Sequence, residues 1–501
     1  MTKENMKAFL SAQQAEVNAA LMYKEFARIT KDEKLKTIFS KAAADEGRHA
    51  YILSKYTNQK VKPSKIQAKL LGIAYRILPK KIFYFAIYKG EYAGGNGYKS
   101  YIKEYPEFEA MMNDEYRHGD TFKALMKQKK NMAKKVNIQA YMTRGVTRVV
   151  TDSLRATSKN PKEAAYMKAF AAAAKNASKK RFEAEKNGEH IPPFLIASIT
   201  SSCNLHCAGC YSRANNACCD AQPVDQLTAE EWDKIFAEAD DLGISFILLA
   251  GGEPMMRYDV IKKASEHKNI LFPIFTNGTF LRNKYLDILD EHRNLIPIIS
   301  IEGDEKLTDD RRGDGVYQKV VTAMNSIKER EMIFGASITV TTENMHEVYS
   351  NEFVDSLYKL GCKAIIYVEF VPVTEESKHL APQESDHKYM QRQVRRLKLT
   401  KRKMVFIAFP GDEKESGGCV AAGRGFFHIN SHGGAEPCPF SPFSDINVKE
   451  TSIREAMKSP LFYALNSEGL LKDEHIGGCT LYMNRERVEE ILNAEKEAAN
   501  T

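Results

Sequence analysis

Three cysteines, at positions 203, 207 and 210, lie close together in the run C-N-L-H-C-A-G-C. They directly follow the apolar run 194–200, so we expect them on a short loop at the end of a strand. Three thiolates at this spacing can bind three irons of a [4Fe–4S] cube and leave the fourth iron open to another ligand. Zinc is the main alternative, but structural zinc prefers four closed ligands, often in paired C-x2-C units. The triplet therefore predicts an iron–sulfur cluster suited to catalysis.

Further motifs follow the cysteines, and the first three stand at the ends of apolar runs. They are G-G-E-P at 251–254, T-N-G at 276–278, S-I-E-G at 300–303 and D-R-R-G-D-G-V-Y at 310–317. Together with the cysteines they resemble the radical S-adenosylmethionine (SAM) superfamily. The resemblance implies that the open iron binds SAM and that the reduced cluster cleaves it to a 5′-deoxyadenosyl radical. It implies cofactor contacts from the following residues, with Arg312 as an alternative to Arg311: Gly251, Gly252, Glu253, Ser300, Glu302 and Arg311.

Apolar runs rich in β-branched residues recur with helical patterns between them. They span residues 194–200, 244–250, 270–275, 296–301, 334–341 and 364–371. One intervening helix opens at Thr228 with Glu231 three residues later, which is a capping-box signature. Alternating buried strands and helices predict parallel β/α units. Functional residues at strand ends fit a barrel, and the resemblance implies a partial (β/α)6 barrel.

A second metal signature lies in the first 130 residues. Glu46 and His49 form one E-x-x-H motif, and Glu115 and His118 form another. Residues three apart on a helix share a face and can bind one metal. Di-iron bundles add one Glu from each of two further helices, and Glu16 and Glu91 are the candidates, with Glu25, Glu104 and Glu107 as substitutes or supplements.

Glu16 and Glu91 are each followed seven residues later by a tyrosine, Tyr23 and Tyr98, so the pattern E-x6-Y then E-x-x-H occurs twice. Seven residues are two helical turns, which keeps Glu and Tyr on one face. This duplication resembles the ferritin-like, rubrerythrin-type family and implies a di-iron four-helix bundle. The glycines of G-G-N-G at 94–97 weaken a helix, so either helices pack closely there or the helix is distorted.

The C-terminal part contains C-x13-G-x4-C, formed by Cys419, Gly433 and Cys438, with Cys479 further on. Residues 426–430 and 435–438 flank S-H-G-G and predict a β-hairpin. This resembles the SPASM/twitch extension of radical SAM enzymes and implies one auxiliary iron–sulfur cluster bound by the three cysteines. A fourth ligand is left open among Cys218, Cys219, Cys362, His475 and the substrate.

The composition is that of a globular chain: 501 residues, 43% hydrophobic, 28% charged, net charge +8. No run of about 20 uncharged apolar residues appears, so we expect no membrane span and a cytoplasmic protein. The basic run 392–403 is better explained as a solvated helix face than as a nucleic-acid site. The amphipathic stretch 69–88, broken by Pro79, could lie on a membrane surface, although packing into a bundle is favoured.

We therefore predict a multidomain α and α/β protein. Its expected parts are a ferritin-like di-iron bundle (1–130), a lysine-rich helical linker (131–190), a radical SAM partial barrel (191–385) and a small α+β twitch-like domain (386–501). The predicted function is SAM-dependent hydrogen abstraction from a peptide, protein or cofactor-precursor substrate. A flavodoxin or ferredoxin would supply electrons, the bundle would protect against oxygen or peroxide, and the bundle could mediate a homodimer. An iron or redox sensor, or an electron-transfer protein without SAM turnover, is the alternative.

Overall fold

The computed structural model describes residues 2–30, 32–78, 80–127, 137–220, 224–400, 402–409, 416–472 and 478–499. The chain forms two compact units, Met1–Lys134 and Lys135–Thr501. Within the described residues, no helix is both long enough and apolar enough to cross a bilayer. His475 and Pro79 lie outside the described residues.

The first unit is helical. Its elements are α1 (Lys3–Ile29), α2 (Glu33–Thr57), α3 (Lys65–Ile77), α4 (Lys80–Tyr98) and α5 (Phe108–Lys127). Helix α1 packs on α2, α4 packs on α5, and α3 lies in the connection between the two pairs against α1. This is a four-helix bundle, as predicted, and α3 lies in the long crossover between its helix pairs.

Two aromatic cores stabilise the bundle. One contains Phe9, Tyr98 and Phe108, and the other contains Tyr23 and Phe122 among other rings. Along α1, Phe9 belongs to the first core and Tyr23 to the second, with the buried Glu16 between them. The polar site therefore lies between two apolar layers that exclude water from it.

The second unit contains a ten-stranded sheet in the order β10-β9-β8-β1-β2-β3-β4-β5-β6-β7. The strands are β1 (Phe194–Thr200), β2 (Phe246–Gly251), β3 (Phe272–Thr276), β4 (Leu295–Ser300), β5 (Gly335–Val340), β6 (Ala364–Glu369), β7 (Val405–Phe409), β8 (His428–Ile429), β9 (Gly434–Glu436) and β10 (Ile446–Asn447). Strands β1 to β7 are parallel. All six predicted strands are present, and β7 extends the barrel by one strand that the sequence analysis did not predict.

Helices lie between and around these strands. They are α6 (Ile138–Thr157), α7 (Pro161–Lys186), α8 (Tyr211–Ala214), α9 (Ala229–Leu242), α10 (Tyr258–Glu266), α11 (Lys284–Glu291), α12 (Glu305–Arg312), α13 (Val316–Glu329), α14 (Met345–Val348), α15 (Asn351–Lys359), α16 (Glu384–Lys398), α17 (Ile453–Ala456), α18 (Pro460–Ser467), α19 (Thr480–Met483) and α20 (Arg485–Ala499). The predicted capping box of α9 forms between Thr228 and Glu231.

Helices α6 and α7 pack on the sheet. Phe170 of α7 contacts the ring of Phe246 at 5.4 Å between centroids. Arg181 is fully buried, and its guanidinium donates to Ser245 at 3.3 Å. Burial lowers the pKa of Arg181 to about 10. The described part of the segment predicted as a linker is thus part of the hydrophobic core of the second unit.

The predicted hairpin is formed by β8 and β9, which pair antiparallel. Strand β8 also pairs parallel with β1, with Ile196 opposite His428. The C-terminal extension is therefore joined to the barrel through the same sheet.

Candidate metal centres and active site

The bundle brings all six predicted ligands into its interior. Glu16 lies on α1, Glu46 and His49 on α2, Glu91 on α4, and Glu115 and His118 on α5, and all six are buried. Ligand atoms of Glu16, Glu46, His49 and Glu115 lie within 4.8 Å of one another, as do those of Glu46, Glu91 and His118. Because Glu46 belongs to both groups, the arrangement suits two cations that share a carboxylate.

The distances around the two histidines show how close the groups lie. His49 Nδ1 is 3.3 Å from both Glu46 Oε2 and Glu115 Oε1. His118 Nδ1 is 3.1 Å from Glu46 Oε1 and 3.3 Å from Glu91 Oε2. Burial raises the pKa values of Glu16 and Glu115, and neighbouring carboxylates add to the effect.

Several atoms that face the centre lie near one another but form no hydrogen bond of good geometry within the part of the chain that the structure describes. They are Glu46 Oε2, His49 Nδ1, Glu91 Oε2 and Glu115 Oε1. A buried polar atom without a partner is costly. Oxygen and imidazole nitrogen donors at these positions fit a pair of iron ions, which would satisfy the orphaned atoms.

An outer layer of charged residues orients the histidines. His49 Nε2 lies 3.3 Å from Asp114 Oδ2, and His118 Nε2 lies 3.1 Å from Asp45 Oδ2. A carboxylate at the second ring nitrogen fixes the tautomer of a metal-binding histidine. Arg117 bonds both aspartates, at 2.8 Å to Asp45 and 2.5 Å to Asp114. The sequence analysis missed this layer, although D-E-x-R-H occurs at both 45–49 and 114–118.

The tyrosines contact the carboxylates of the opposite motif. The Tyr23 hydroxyl donates to Glu91, and the Tyr98 hydroxyl donates to Glu16. The spacing predicted that each Glu and its own Tyr share a helix face. The fold adds a cross-connection between α1 and α4 that the spacing alone did not indicate.

Helix α4 is continuous through the G-G-N-G segment at 94–97. Close packing explains two of its three glycines. A Cβ on Gly94 would lie 2.7 Å from Glu115 Oε2, and one on Gly95 would lie 2.7 Å from the Tyr116 ring. Nothing lies within 4 Å of a Cβ on Gly97. The helix is therefore not distorted, and α4 and α5 approach closely beside the predicted ligands.

The second unit gathers its cysteine motif at the carboxyl end of β1. Cys203, Cys207 and Cys210 line one cavity of about 1670 Å³ together with apolar residues of the strands. Burial raises the pKa of Cys207, and the neighbouring Cys210 and Cys203 thiolates raise it further. The predicted residues Gly251, Gly252, Glu253, Ser300 and Arg311 line the same cavity, whereas Glu302 is buried beside it.

The two glycines of G-G-E-P allow the chain to pass against the cysteine loop. A Cβ on Gly251 would lie 2.2 Å from the Thr200 carbonyl oxygen, and one on Gly252 would lie 2.0 Å from that of Ser202. Gly252 N donates to Thr200 O, and Glu253 N donates to Ser202 O, both at 2.8 Å. This turn fixes the first residues of the cysteine loop.

Glu253 uses both carboxylate oxygens inside the protein. Oε1 accepts from Thr276 Oγ1 at 2.7 Å, and Oε2 accepts from Asn277 N at 2.7 Å. Burial raises its pKa to about 7. Asn277 Nδ2 in turn donates to Asn204 Oδ1 at 2.8 Å. The side chain of Glu253 thus joins the T-N-G segment to the turn.

Arg312 connects the third motif to the cysteines. Its guanidinium pairs with Glu302, and Nη1 lies 3.8 Å from Cys207 Sγ. Glu302 Oε2 also accepts from Thr339 N at 2.9 Å. Arg311 Nε lies 3.3 Å from Glu302, and its guanidinium lies over the Phe370 ring at 5.5 Å. Both arginines line the cavity, and Arg312 makes the shorter contact with Glu302.

Cys218, one candidate for the fourth ligand of the auxiliary cluster, contacts the first cysteine motif. The Cys218 thiol hydrogen-bonds to Cys203, and this contact lowers the pKa of Cys203 to about 6. Cys362 lies just before β6, where its thiol donates to Ala364 O at 3.0 Å. Burial raises the Cys362 pKa to about 12.

The three C-terminal cysteines come together from separate loops. The pKa of the buried Cys438 is raised by burial and then by the nearby Cys479 and Cys419 thiolates. Arg424 positions the Cys419 loop, because its guanidinium bonds the carbonyls of Cys419 and Leu471. These thiolates fit the auxiliary cluster that the sequence predicts.

A parallel barrel with a cysteine-lined cavity, joined in one chain to a carboxylate-rich helical bundle, defines a multidomain α/β protein with two groups of potential metal ligands. The radical SAM superfamily model matches residues 197–351, and the rubrerythrin model matches residues 7–84.

Individual relatives agree with these matches. The chain is 26% identical over 291 residues to the AdoMet-dependent heme synthase of Methanosarcina barkeri, covering 52% of this chain and 81% of that protein. It is 26% identical over 159 residues to the Fe-coproporphyrin III synthase of the same organism, covering 31% of this chain and only 39% of that protein. SuiB of Streptococcus suis, solved with bound S-adenosylmethionine, shares the fold with a TM-score of 0.50 at 17% identity over 60% of this chain and 76% of SuiB. The chain therefore contains a radical SAM domain and an N-terminal rubrerythrin-like domain.

Proposed function

We propose that this chain cleaves SAM reductively at a [4Fe–4S] cluster held by Cys203, Cys207 and Cys210 and abstracts hydrogen from a substrate in the barrel cavity. The main support is that the three cysteines, the G-G-E turn and Arg311 line one cavity at the carboxyl ends of the strands. The cluster, when bound, supplies the electron that cleaves SAM to a 5′-deoxyadenosyl radical. The protein supplies orientation and the exclusion of water.

Particular residues divide this work. The turn of Gly251 and Gly252 presents backbone groups beside the cysteine loop, where the SAM amino group can bind. Arg311 is the better candidate for the SAM carboxylate, because Arg312 is already bonded to Glu302 and lies beside Cys207. Ser300, at the end of β4, lines the cavity and is suited to a polar contact with the cofactor.

The experiment that tests SAM cleavage uses anaerobically reconstituted protein with SAM and dithionite. We expect 5′-deoxyadenosine from the parent and none from Cys207→Ala. Cys362→Ala is the matched control, because this buried cysteine lies just before β6 and donates to the backbone carbonyl of Ala364 there. A parent protein that contains a reduced cluster yet forms no 5′-deoxyadenosine would favour the sensor or electron-transfer alternative.

For the substrate we propose a cofactor precursor or a peptide. A cavity of about 1670 Å³ is large for one small metabolite. The names of the two M. barkeri relatives favour a tetrapyrrole among the cofactor precursors. Deuterium transfer from labelled candidates into 5′-deoxyadenosine identifies the molecule that gives up hydrogen.

An auxiliary cluster on Cys419, Cys438 and Cys479 is part of the same proposal. The ring of Tyr211, next to Cys210, packs on Phe440 at 4.6 Å, and Phe440 lies two residues after Cys438. This contact supports a short separation between the two cysteine groups, and we infer that the auxiliary cluster contacts substrate or exchanges electrons across it. Iron and sulfide analysis of Cys438→Ala should show the loss of one cluster relative to the parent. For the reaction itself, we propose that a flavodoxin or ferredoxin supplies the electrons.

The bundle supports a second proposal, reduction of peroxide or oxygen by a di-iron centre that protects the iron–sulfur clusters. The supporting observation is the buried group of six ligands with orphaned atoms at its centre. A diferrous pair, when bound, would supply the two electrons that, with two protons, reduce one peroxide to two waters, and the flavodoxin or ferredoxin would return both irons to the ferrous state. The aromatic cores keep bulk water out, and Asp45 and Asp114 orient the two histidines.

The protection hypothesis is tested with the double variant Glu46→Ala/Glu115→Ala. It should lose peroxidase activity, and its clusters should decay faster in air than those of the parent. Glu109→Ala, which changes an exposed carboxylate of α5, is the control. Unchanged peroxidase activity and unchanged cluster lifetime in the double variant would refute the proposal.

A further inference from the structure

We propose that an exposed apolar face of α3 and the start of α4 binds the surface of a lipid bilayer that carries anionic headgroups. This apolar face consists of Ile66, Leu70, Ile73, Ile77, Ile82 and Phe85. The inference is independent of the two proposals above, because it rests on a surface that contains none of the predicted ligands.

The orientation of α3 is the first argument. Its buried residues are Ala68, Gly72 and Tyr75, two of which are small. The large aliphatic residues point outward instead, with exposures of 75% for Ile66, 62% for Leu70, 53% for Ile73 and 74% for Ile77. An amphipathic helix that packs on its own domain normally buries the large residues. The buried side chains of Tyr75, Phe83, Tyr84 and Ile87 agree with the prediction that 69–88 packs into the bundle, while the aliphatic face of α3 remains exposed.

The contact with α1 explains how α3 is held in this orientation. A Cβ on Gly72 would lie 3.0 Å from Glu25 Cγ, so a larger residue would push the helices apart. The small buried side of α3 therefore lies flat on α1. The spacing of the exposed residues, at 66, 70, 73 and 77, gives one continuous stripe along the helix.

Charge is the second argument. Residues 59–90 contain eight Lys or Arg and no Asp or Glu. Lys62, Lys65, Lys69, Arg76 and Lys89 are exposed. An apolar helix face bordered by cations is typical of helices that lie in the interface of an anionic bilayer. Each Lys or Arg near such a surface adds about 1 kcal/mol of attraction, roughly a fivefold change in partitioning.

Charge and side-chain type also argue against two other partners for this face, a second copy of the chain and a nucleic acid. A symmetric contact between two copies places the same patch on both sides of the interface, which would bring these cations against one another. Aliphatic side chains give no stacking platform for nucleic-acid bases. The combination of an aliphatic face and a segment, residues 59–90, that carries Lys and Arg but no Asp or Glu therefore favours an anionic bilayer.

The experiment is vesicle co-sedimentation of the full-length protein. We expect partitioning at least tenfold stronger onto vesicles of phosphatidylcholine with about 30 mol% phosphatidylglycerol than onto phosphatidylcholine alone. About 0.5 M NaCl should weaken the binding, because salt screens the headgroup charge. The double variants Leu70→Asp/Ile73→Asp and Lys65→Glu/Lys69→Glu should each lose at least tenfold in partitioning.

Leu399→Asp is the matched control, because Leu399 is 86% exposed and lies in the second unit. It should bind vesicles like the parent. Circular dichroism checks that every variant is folded. We expect all of them to fold, because the substituted residues are exposed. Equal binding to both kinds of vesicle, no binding at all, or full binding by Leu70→Asp/Ile73→Asp would each overturn the proposal. A change in sedimentation coefficient caused by that variant without lipid would identify a second copy as the occupant instead.

Discussion

The Tyr98 hydroxyl on α4 donates a hydrogen bond to the Glu16 carboxylate on α1. Both side chains are buried, so this bond orients a predicted ligand where water cannot replace it. The equivalent bond joins Tyr23 to Glu91. Each of the two glutamates that stand outside the E-x-x-H motifs is thus oriented by a tyrosine from the other one's helix.

Tyr98→Phe should weaken iron binding to the bundle by about 10-fold to 100-fold, the usual effect of removing an outer-layer partner. The aromatic packing would be retained, so the loss would report the hydroxyl. Competition with a chelator for ferrous iron measures it. Tyr101→Phe, in the same aromatic core, should bind iron like the parent, and equal losses in both variants would contradict the prediction.

Gly94→Ala should lower the iron content of the bundle, because the added Cβ would lie 2.7 Å from Glu115 Oε2. Gly97→Ala changes the same helix without that clash, since nothing lies within 4 Å of its Cβ. Alanine is the better helix former, so Gly97→Ala should raise the free energy of unfolding by about 0.5 kcal/mol. Iron analysis and thermal unfolding distinguish the two, and a full iron content in Gly94→Ala would count against close packing.

Asp114→Asn should also weaken iron binding, because its carboxylate faces His49 Nε2 at 3.3 Å and fixes the ring. We expect a loss of about tenfold or more. Asp120→Asn is the control on the same helix, where the carboxylate accepts from Tyr92 Oη at 2.6 Å. Similar affinities in the two variants would show that Asp114 has no part in orienting the histidine.

Arg312→Gln should destabilise the second unit. Glu302 is almost fully buried, and removing one partner of a buried pair costs about 3 kcal/mol or more. Arg330→Gln breaks an exposed pair with Asp287, which contributes about 1 kcal/mol at most. Anaerobic urea unfolding of the cluster-free protein compares them. Equal losses of unfolding free energy in the two variants would mean that the ion pair with Arg311 is enough to stabilise the buried Glu302 carboxylate.

Duplicated spacing was enough to select the six carboxylate and histidine residues that the bundle brings together, because helical periodicity determines which residues share a face. It did not indicate which helix each tyrosine would contact, since that depends on how α1 and α4 pack. The E-x-x-H pattern does not include Asp45 and Asp114, so it did not predict them. Each aspartate directly precedes the Glu of its motif, and the longer pattern D-E-x-R-H occurs twice.

Two further differences have physical causes. Strand β7 is only five residues long and follows a basic helix, so its apolar run gave a weak signal. For α3, the sequence showed an apolar face but not its direction. The small residues Ala68 and Gly72 decide that direction, because they allow the helix to lie on α1 with its large side chains outward.

The pairing of β1 with β8 has a consequence for biosynthesis. Ile196 and His428 are 232 positions apart in the chain. The barrel can therefore assemble from β1 to β7 before β8 has been synthesised, and one edge of β1 is then unpaired. At about 5–20 residues per second, a ribosome needs tens of seconds to reach the hairpin. During that time β1 presents an open strand edge next to the cysteine loop. Premature termination before residue 428 should therefore yield a chain prone to aggregation, and cluster insertion is best timed after the hairpin has closed that edge.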